Sequence, residues 1–162
     1  MSRLPALDGL ARTIAALPAP ARVAIDGVDA AGKTTLADEL AARLPGCVRI
    51  SADSFLRPAA ERHRLGRESS AGYYRDSFDH ERLRAAVLDV QRLALVDGIF
   101  LFRPELNDLW NFRVFVHVEL EEALRRGVQR DGPGTERAYR RRYMPAQRAY
   151  LASVRPAEQS SA

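Results

Sequence analysis

VAIDGVDAAGKTTLADELAARL, residues 23–44, is the stretch whose reading decides the fold. An apolar, β-branched run over 22–26 stops at Gly27, a loop of small residues follows, and an apolar rhythm of helical period begins at Thr34. The pattern predicts a buried strand, a tight loop and a helix over 34–44 that Pro45-Gly46 ends. Within it, Gly27-Val28-Asp29-Ala30-Ala31-Gly32-Lys33-Thr34 fits G-x-x-x-x-G-K-[ST], with a strand before it and a helix after it.

The chemistry of such a loop is the capture of phosphate. Small side chains at Ala30, Ala31 and Gly32 let backbone N–H groups converge on anionic oxygens, and the positive end of the following helix adds to the field. Lys33 is placed to reach the β and γ phosphates of a nucleoside triphosphate, and the Thr34 hydroxyl, followed by Thr35, to sit on Mg²⁺. Gly27, Asp29, Ala30, Ala31, Gly32, Lys33, Thr34 and Thr35 are therefore the candidate nucleotide-binding residues, with ATP and Mg²⁺ the expected cofactors. Of the 25 basic residues, 24 are arginine and one is Lys33. A chain so biased toward arginine retains lysine where a compact ammonium serves better than a planar fork.

Outward from this stretch, Leu7, Leu10, Ile14 and Leu17 predict an amphipathic helix closed by Pro18 and Pro20. Strands are expected over 22–26, 47–51, 93–97 and 112–120, and helices over 79–91 and 121–131. Residues 54–80 read as loop with short helical turns, and 135–155 as one or two helices broken near Pro145. Alternating strands and helices imply a three-layer α/β/α fold around a mostly parallel sheet of four or five strands. The chain of 162 residues is read as one domain over 1–162, with 122–142 a lid-like region and 156–162 a tail. In such sheets ligands bind beyond the carboxyl ends of the strands, where Asp53 and Asp97 also fall.

Asp97, closing the apolar run LALVD, is a candidate metal ligand with Thr34, a role preferred here over a plain Asp-Gly turn. Asp53, just past the second strand, either deprotonates an attacking hydroxyl or caps a helix. Arg126 and Arg130 lie four apart on one helical face, fit either to neutralise a transferring phosphoryl group or to form a solvated basic surface. Phe55, Tyr74 and Phe78 join Asp53 as candidate acceptor-binding residues, although residues such as Tyr74 and Phe78 more often belong to a core.

The lone Cys47 excludes an internal disulfide and fits a reducing, cytoplasmic setting. No apolar run approaches the roughly 18 residues of a membrane span. The net charge of +4 is scattered, without an aromatic-interleaved groove, so small anions are expected as partners before nucleic acid. Homo-oligomerisation is left open.

The segments IDGVDAAGKTTLADELA, SADSF, DSFDHERL, VDGIFLF, FRVFVHVELEEALRRGVQRD and RRYMPAQRAYL, in this order, resemble the uridine kinase family of P-loop kinases, with phosphoribulokinase and bacterial pantothenate kinase as more distant relatives. The resemblance implies a five-stranded parallel sheet and ATP-dependent phosphorylation of a hydroxyl. It implies Lys33 and Thr34 on triphosphate and magnesium, Asp53 as base for a nucleoside 5′-hydroxyl, Asp79 on ribose hydroxyls and Arg126 and Arg130 as lid arginines. Asp97 stands where many relatives carry Glu. A base-reading hairpin is absent between DHERLRAAVLDV and LALVDGIF, and so is the final strand after RPAEQSSA, leaving one sheet edge to be exposed or covered by a partner. The alternatives are a non-nucleoside acceptor, such as pantothenate or a sugar, and a nucleotide-binding regulator without turnover.

Overall fold

The computed structural model describes residues 3–162. Its elements run α1 (Arg3–Ala15), β1 (Arg22–Gly27), α2 (Lys33–Ala41), β2 (Val48–Ser51), α3 (Ala59–Arg62), α4 (Ser70–Asp76), α5 (His80–Asp89), β3 (Ala94–Gly98), β4 (Phe112–Val116), α6 (Leu120–Asp131), α7 (Glu136–Ala138), α8 (Met144–Val154) and α9 (Pro156–Gln159). The four strands form an all-parallel sheet in the order β2-β3-β1-β4.

Side-chain alternation along each strand sorts the core into two layers. Val23 and Ile25 of β1, Leu95 of β3 and Val114 of β4 pack with Leu7, Ala11 and Ile14 of α1 and Ala37 and Leu40 of α2. Ala24, Ala94 and Val96 face the other way, onto Leu83 and Val87 of α5, Phe100, Phe102, Trp110 and Tyr150 of α8. Each fully buried Leu or Ile contributes roughly 1.5–3 kcal/mol relative to exposure. The same parity sends the two strand-end carboxylates in opposite directions: Asp97 follows Leu95 toward α2, and Asp26 follows Ala24 toward α8.

Three expectations change in extent. The helix expected over 34–44 ends at Ala41, where bonds of the tighter i to i+3 kind (Arg43 N to Leu40 O, Leu44 N to Ala41 O) take over ahead of Pro45. The strand expected over 112–120 ends at Val116, whose register partner is Gly27; beyond it β1 turns into the loop and β4 has no ladder to continue. The break expected near Pro145 is instead a π-helical turn over Tyr139–Tyr143 leading into α8, with Pro145 in the first turn of α8. A proline ring clashes with the carbonyl four residues back, and the wider π turn relieves that clash without ending the helix.

The sheet edge expected to lack a covering strand is β4. Here the chain's own tail lies along it: Ser161 N donates to Arg113 O (2.7 Å) and Phe115 N donates to Ala162 O (3.1 Å). A fifth strand does not form among the described residues, yet the tail meets outward ladder groups of Arg113 and Phe115 on β4. No helix among the described residues is long and apolar enough to cross a membrane.

Candidate functional site

The loop between β1 and α2 needs a left-handed residue at its end. Gly32 has φ 91° and caps α2, with open space around its Cα, so backbone can be approached closely there. The first turn of α2, beginning at Lys33, leaves its N–H groups without helical partners, and these point out over the sheet's carboxyl edge. Lys33 Nζ folds back to donate to Val28 O at 2.7 Å.

This loop floors a cleft of about 310 Å³ lined by Asp29 to Thr35, Asp53, Asp97, Gly98, Ile99, Arg126 and Arg130. Parallel strands deliver these residues together because each strand ends at the same side of the sheet. Thr34 Oγ1 donates to Asp97 Oδ2 at 2.9 Å, and Arg49 of β2 donates to Asp97 Oδ1 at 2.8 Å. Asp97 is 2% exposed, and Arg49 supplies the charge that makes a buried carboxylate tolerable. Arg49 also reaches Asp38 of α2, at 3.0 Å, so one guanidinium ties β2, β3 and α2. Asp53 sits in a 3₁₀ turn (Ala52–Phe55) after β2, exposed, and its carboxylate makes no hydrogen bond among the described residues.

The arginines of α6 are held by carboxylates. Arg126 Nε donates to Glu122 at 2.7 Å, and Arg130 Nε to Asp131 at 2.7 Å. Tyr139 OH donates to Asp131 at 2.8 Å and receives Arg130 Nη2 at 3.2 Å. Gly127 permits this cluster: a Cβ there would lie 2.3 Å from the Tyr139 ring.

Gly27 closes β1 beneath the cleft rather than lining it. Of the remaining acceptor candidates, Asp79 caps α5 by accepting Arg82 N at 3.0 Å, and its own N–H donates to Phe55 O at 2.8 Å. Phe55 is half-buried under Arg82, and Phe78 is 4% exposed in the core. The Tyr74 ring packs on Phe100 and under Arg103. These four lie outside the cleft's lining.

Four participants escape the motif reading. Asp26 is fully buried, accepts Gly27 N at 2.8 Å and the Tyr150 hydroxyl, and burial pushes its carboxyl up to about 6. Gln147, also buried, donates Nε2 to Asp29 Oδ2 (2.7 Å) and receives Asp29 N on Oε1 (2.9 Å). Tyr73 OH adds a third bond to Asp29 Oδ2, at 3.0 Å. Burial raises the Asp29 carboxyl, and burial with the Asp29 charge raises the Tyr73 phenol. An aspartate inside an apolar strand was the available signal for Asp26; nothing local marks the others.

No family model matches the chain. Nicotinamide riboside kinase 1 of Rattus norvegicus is 31% identical over 136 residues, covering 69% of this chain and 70% of that protein. Its Homo sapiens counterpart is 29% identical over 136 residues, covering 69% and 68%. Among solved structures, a candidate uridine kinase from Bacillus stearothermophilus superposes with TM-score 0.79 at 22% identity, over 99% of this chain and 98% of that one. A candidate fructose transport system kinase from Silicibacter sp. TM1040 gives TM-score 0.76 at 18% identity, over 94% and 95%. The last two establish the fold, and the sequence relatives establish the kinship. With a phosphate loop, a strand-end aspartate on its threonine and paired arginines around one cleft, the chain belongs to the uridine kinase-like family of P-loop kinases.

Proposed function

We propose that the protein transfers the γ-phosphoryl group of Mg-ATP to the 5′-hydroxyl of a nucleoside acceptor. The observation that carries this reading is one cleft lined together by Lys33, Thr34, Asp53, Asp97, Arg126 and Arg130. The residues fit the cofactor: Thr34 and Asp97 offer only oxygen donors, as a hard cation prefers, and Gly32 leaves the loop open to phosphate. Mg-ATP, when bound, supplies the phosphoryl group and neutralises part of its charge.

The chain's residues then divide the work. Lys33 exchanges its Val28 carbonyl for phosphate oxygens, and the first-turn amides of α2 add donors. Asp53, exposed and with no carboxylate hydrogen bond among the described residues, takes the proton of the acceptor hydroxyl as the hydroxyl oxygen bonds to phosphorus and the bond to the leaving nucleoside diphosphate breaks. Arg126 and Arg130 leave Glu122 and Asp131 to offset the charge spread over the transferring group. Nicotinamide riboside and uridine head the acceptors to try, following the relatives' names.

A second reading, a non-nucleoside alcohol as acceptor, is favoured by one feature. Between α5 and β3 the chain has only residues 90–93, with no room for a base-reading hairpin. Both readings are tested by Mg-ATP-dependent ADP formation against nicotinamide riboside, uridine, cytidine, other nucleosides, pantothenate and simple sugars, with Lys33→Ala as blank. Turnover with a nucleoside, lost in Lys33→Ala and in Asp53→Ala, is the expected result. Turnover confined to pantothenate or a sugar selects the second reading, and ATP binding without turnover on any acceptor overturns both.

A further inference from the structure

Asp29 is unusual company for phosphate. A carboxylate in a loop built to attract anions repels the ligand it borders, so its presence calls for a partner of different chemistry. Its backbone N–H, which an anion would use, is already donated to Gln147 Oε1. Its Oδ2 is doubly anchored, by Gln147 from α8 and Tyr73 from α4. Oδ1 accepts no hydrogen bond among the described residues, and the residue, partly exposed, lines the cleft.

The other carboxylates near the cleft are committed. Asp97 spends one oxygen on Arg49 and the other on Thr34. Glu122 and Asp131 hold Arg126 and Arg130. Asp79 caps α5 and lies outside the lining. Asp53 has the proton-accepting role, and it is close enough to Asp29 for the two charges to be felt by each other. The cleft lining therefore holds two carboxylates with an oxygen uncommitted, Asp53 for the reacting hydroxyl and Asp29 left over. Gln147 is 2% exposed, so the anchoring of the second is internal and fixed.

Resting on the kinase reading above, we infer that Asp29 is a specificity-determining residue of the acceptor site: its open oxygen accepts a hydrogen bond from a second hydroxyl of the acceptor, and the acceptor class is ribosyl or similarly polyhydroxylated. Tyr73 and Gln147 are positioning residues that hold Asp29 in this orientation. A site that hydrogen-bonds a hydroxyl rejects the analogue lacking it far more strongly than an apolar pocket can.

Asp29→Asn tests this directly, because its amide oxygen can keep the Tyr73 and Gln147 bonds while a donating NH₂ replaces the accepting oxygen in the cleft. Steady-state kinetics with uridine, nicotinamide riboside, 2′-deoxyuridine and 3′-deoxyuridine are compared in wild type and variant. The expected result is a tenfold or greater rise in acceptor KM for the ribosides, with kcat and the KM for ATP within twofold of wild type. The wild type's penalty against one deoxy analogue disappears in the variant. Equal losses on ribo and both deoxy acceptors, a rise confined to the KM for ATP, or wild-type transfer only to acceptors with a single hydroxyl would overturn it. Should Asp29→Asn fail to fold, Asp29→Ser carries the same comparison. If the wild type phosphorylates no acceptor, the kinase reading fails and the inference is read by equilibrium dialysis of uridine and nicotinamide riboside with the protein and a non-hydrolysable ATP analogue. Riboside binding weakened tenfold by Asp29→Asn then sustains it; binding indifferent to Asp29, or none, overturns it.

Discussion

At the scale of single residues, the cleft depends on what is missing from a glycine. Gly127 on α6 faces the Tyr139 ring, and an added Cβ would stand 2.3–2.6 Å from three of its atoms. The ring is 3% exposed and cannot swing clear, so Gly127→Ala overpacks the contact at a cost of about 1–3 kcal/mol. The displaced phenol would also release Asp131 and Arg130. Urea denaturation of Gly127→Ala is expected to show a lowered midpoint with unchanged slope. Tyr139→Phe, which keeps the ring and loses only the hydroxyl, is expected to stay within about 1 kcal/mol of wild type. A variant pair with equal losses would place the stabilisation in the hydroxyl and contradict the packing account.

At the scale of elements, a π turn and an irregular loop are fastened by one side chain. Arg142, 3% exposed, donates to the carbonyls of Arg62 (2.9 Å), Ser69 (3.0 Å), Gly66 (3.3 Å) and Arg67 (3.4 Å). Its guanidinium also lies over the Tyr73 ring, 5.5 Å from the centroid. Arg142→Ala leaves several carbonyls without a donor and is expected to cost about 2–3 kcal/mol; Arg142→Lys recovers less than half, since an ammonium cannot span the fork. Hydrogen exchange should accelerate over 62–69 first. This staple marks where the sequence stops being legible. The β1–loop–α2 unit, the strand end at Asp97 and the helix carrying Arg126 and Arg130 are written in local periodicity and spacing, and the fold has them in place, with α2 ending at Ala41 and not at Pro45. Gln147 with Asp29 spans 118 positions, and Tyr150 with Asp26 spans 124. Such pairs exist only once two faces have packed, and no window of sequence contains both partners. The end of β4 differs from its sequence pattern for the same reason: its length is set by where β1 stops beside it, not by its own residues.

At the scale of the whole molecule, a buried and a half-buried titrating group pull the pH dependence of stability in opposite directions. Asp26, fully buried, is raised by burial from 3.8 to about 6, so the folded chain binds its proton more tightly than the unfolded chain does. Its contribution is present at low pH and is lost as pH rises from about 4 to about 6, a change of about 3 kcal/mol. His80, half-buried with Arg103 Nη1 3.0 Å from its Nε2, is lowered by burial and by that guanidinium from 6.5 to about 4. The unfolded chain protonates it first, so its contribution is present above about 6.5 and is lost as pH falls toward 4. Over pH 4.5–6 the two slopes oppose and the wild type's stability changes little on their account. Removing one partner unmasks the other. Asp26→Asn is expected to lose stability steeply on acidification from pH 6.5 to 4.5 relative to wild type, and His80→Gln to gain it over the same interval. Urea denaturation at half-unit steps reads both slopes, and variants that run parallel to wild type would show that neither group titrates in the folded protein within this window.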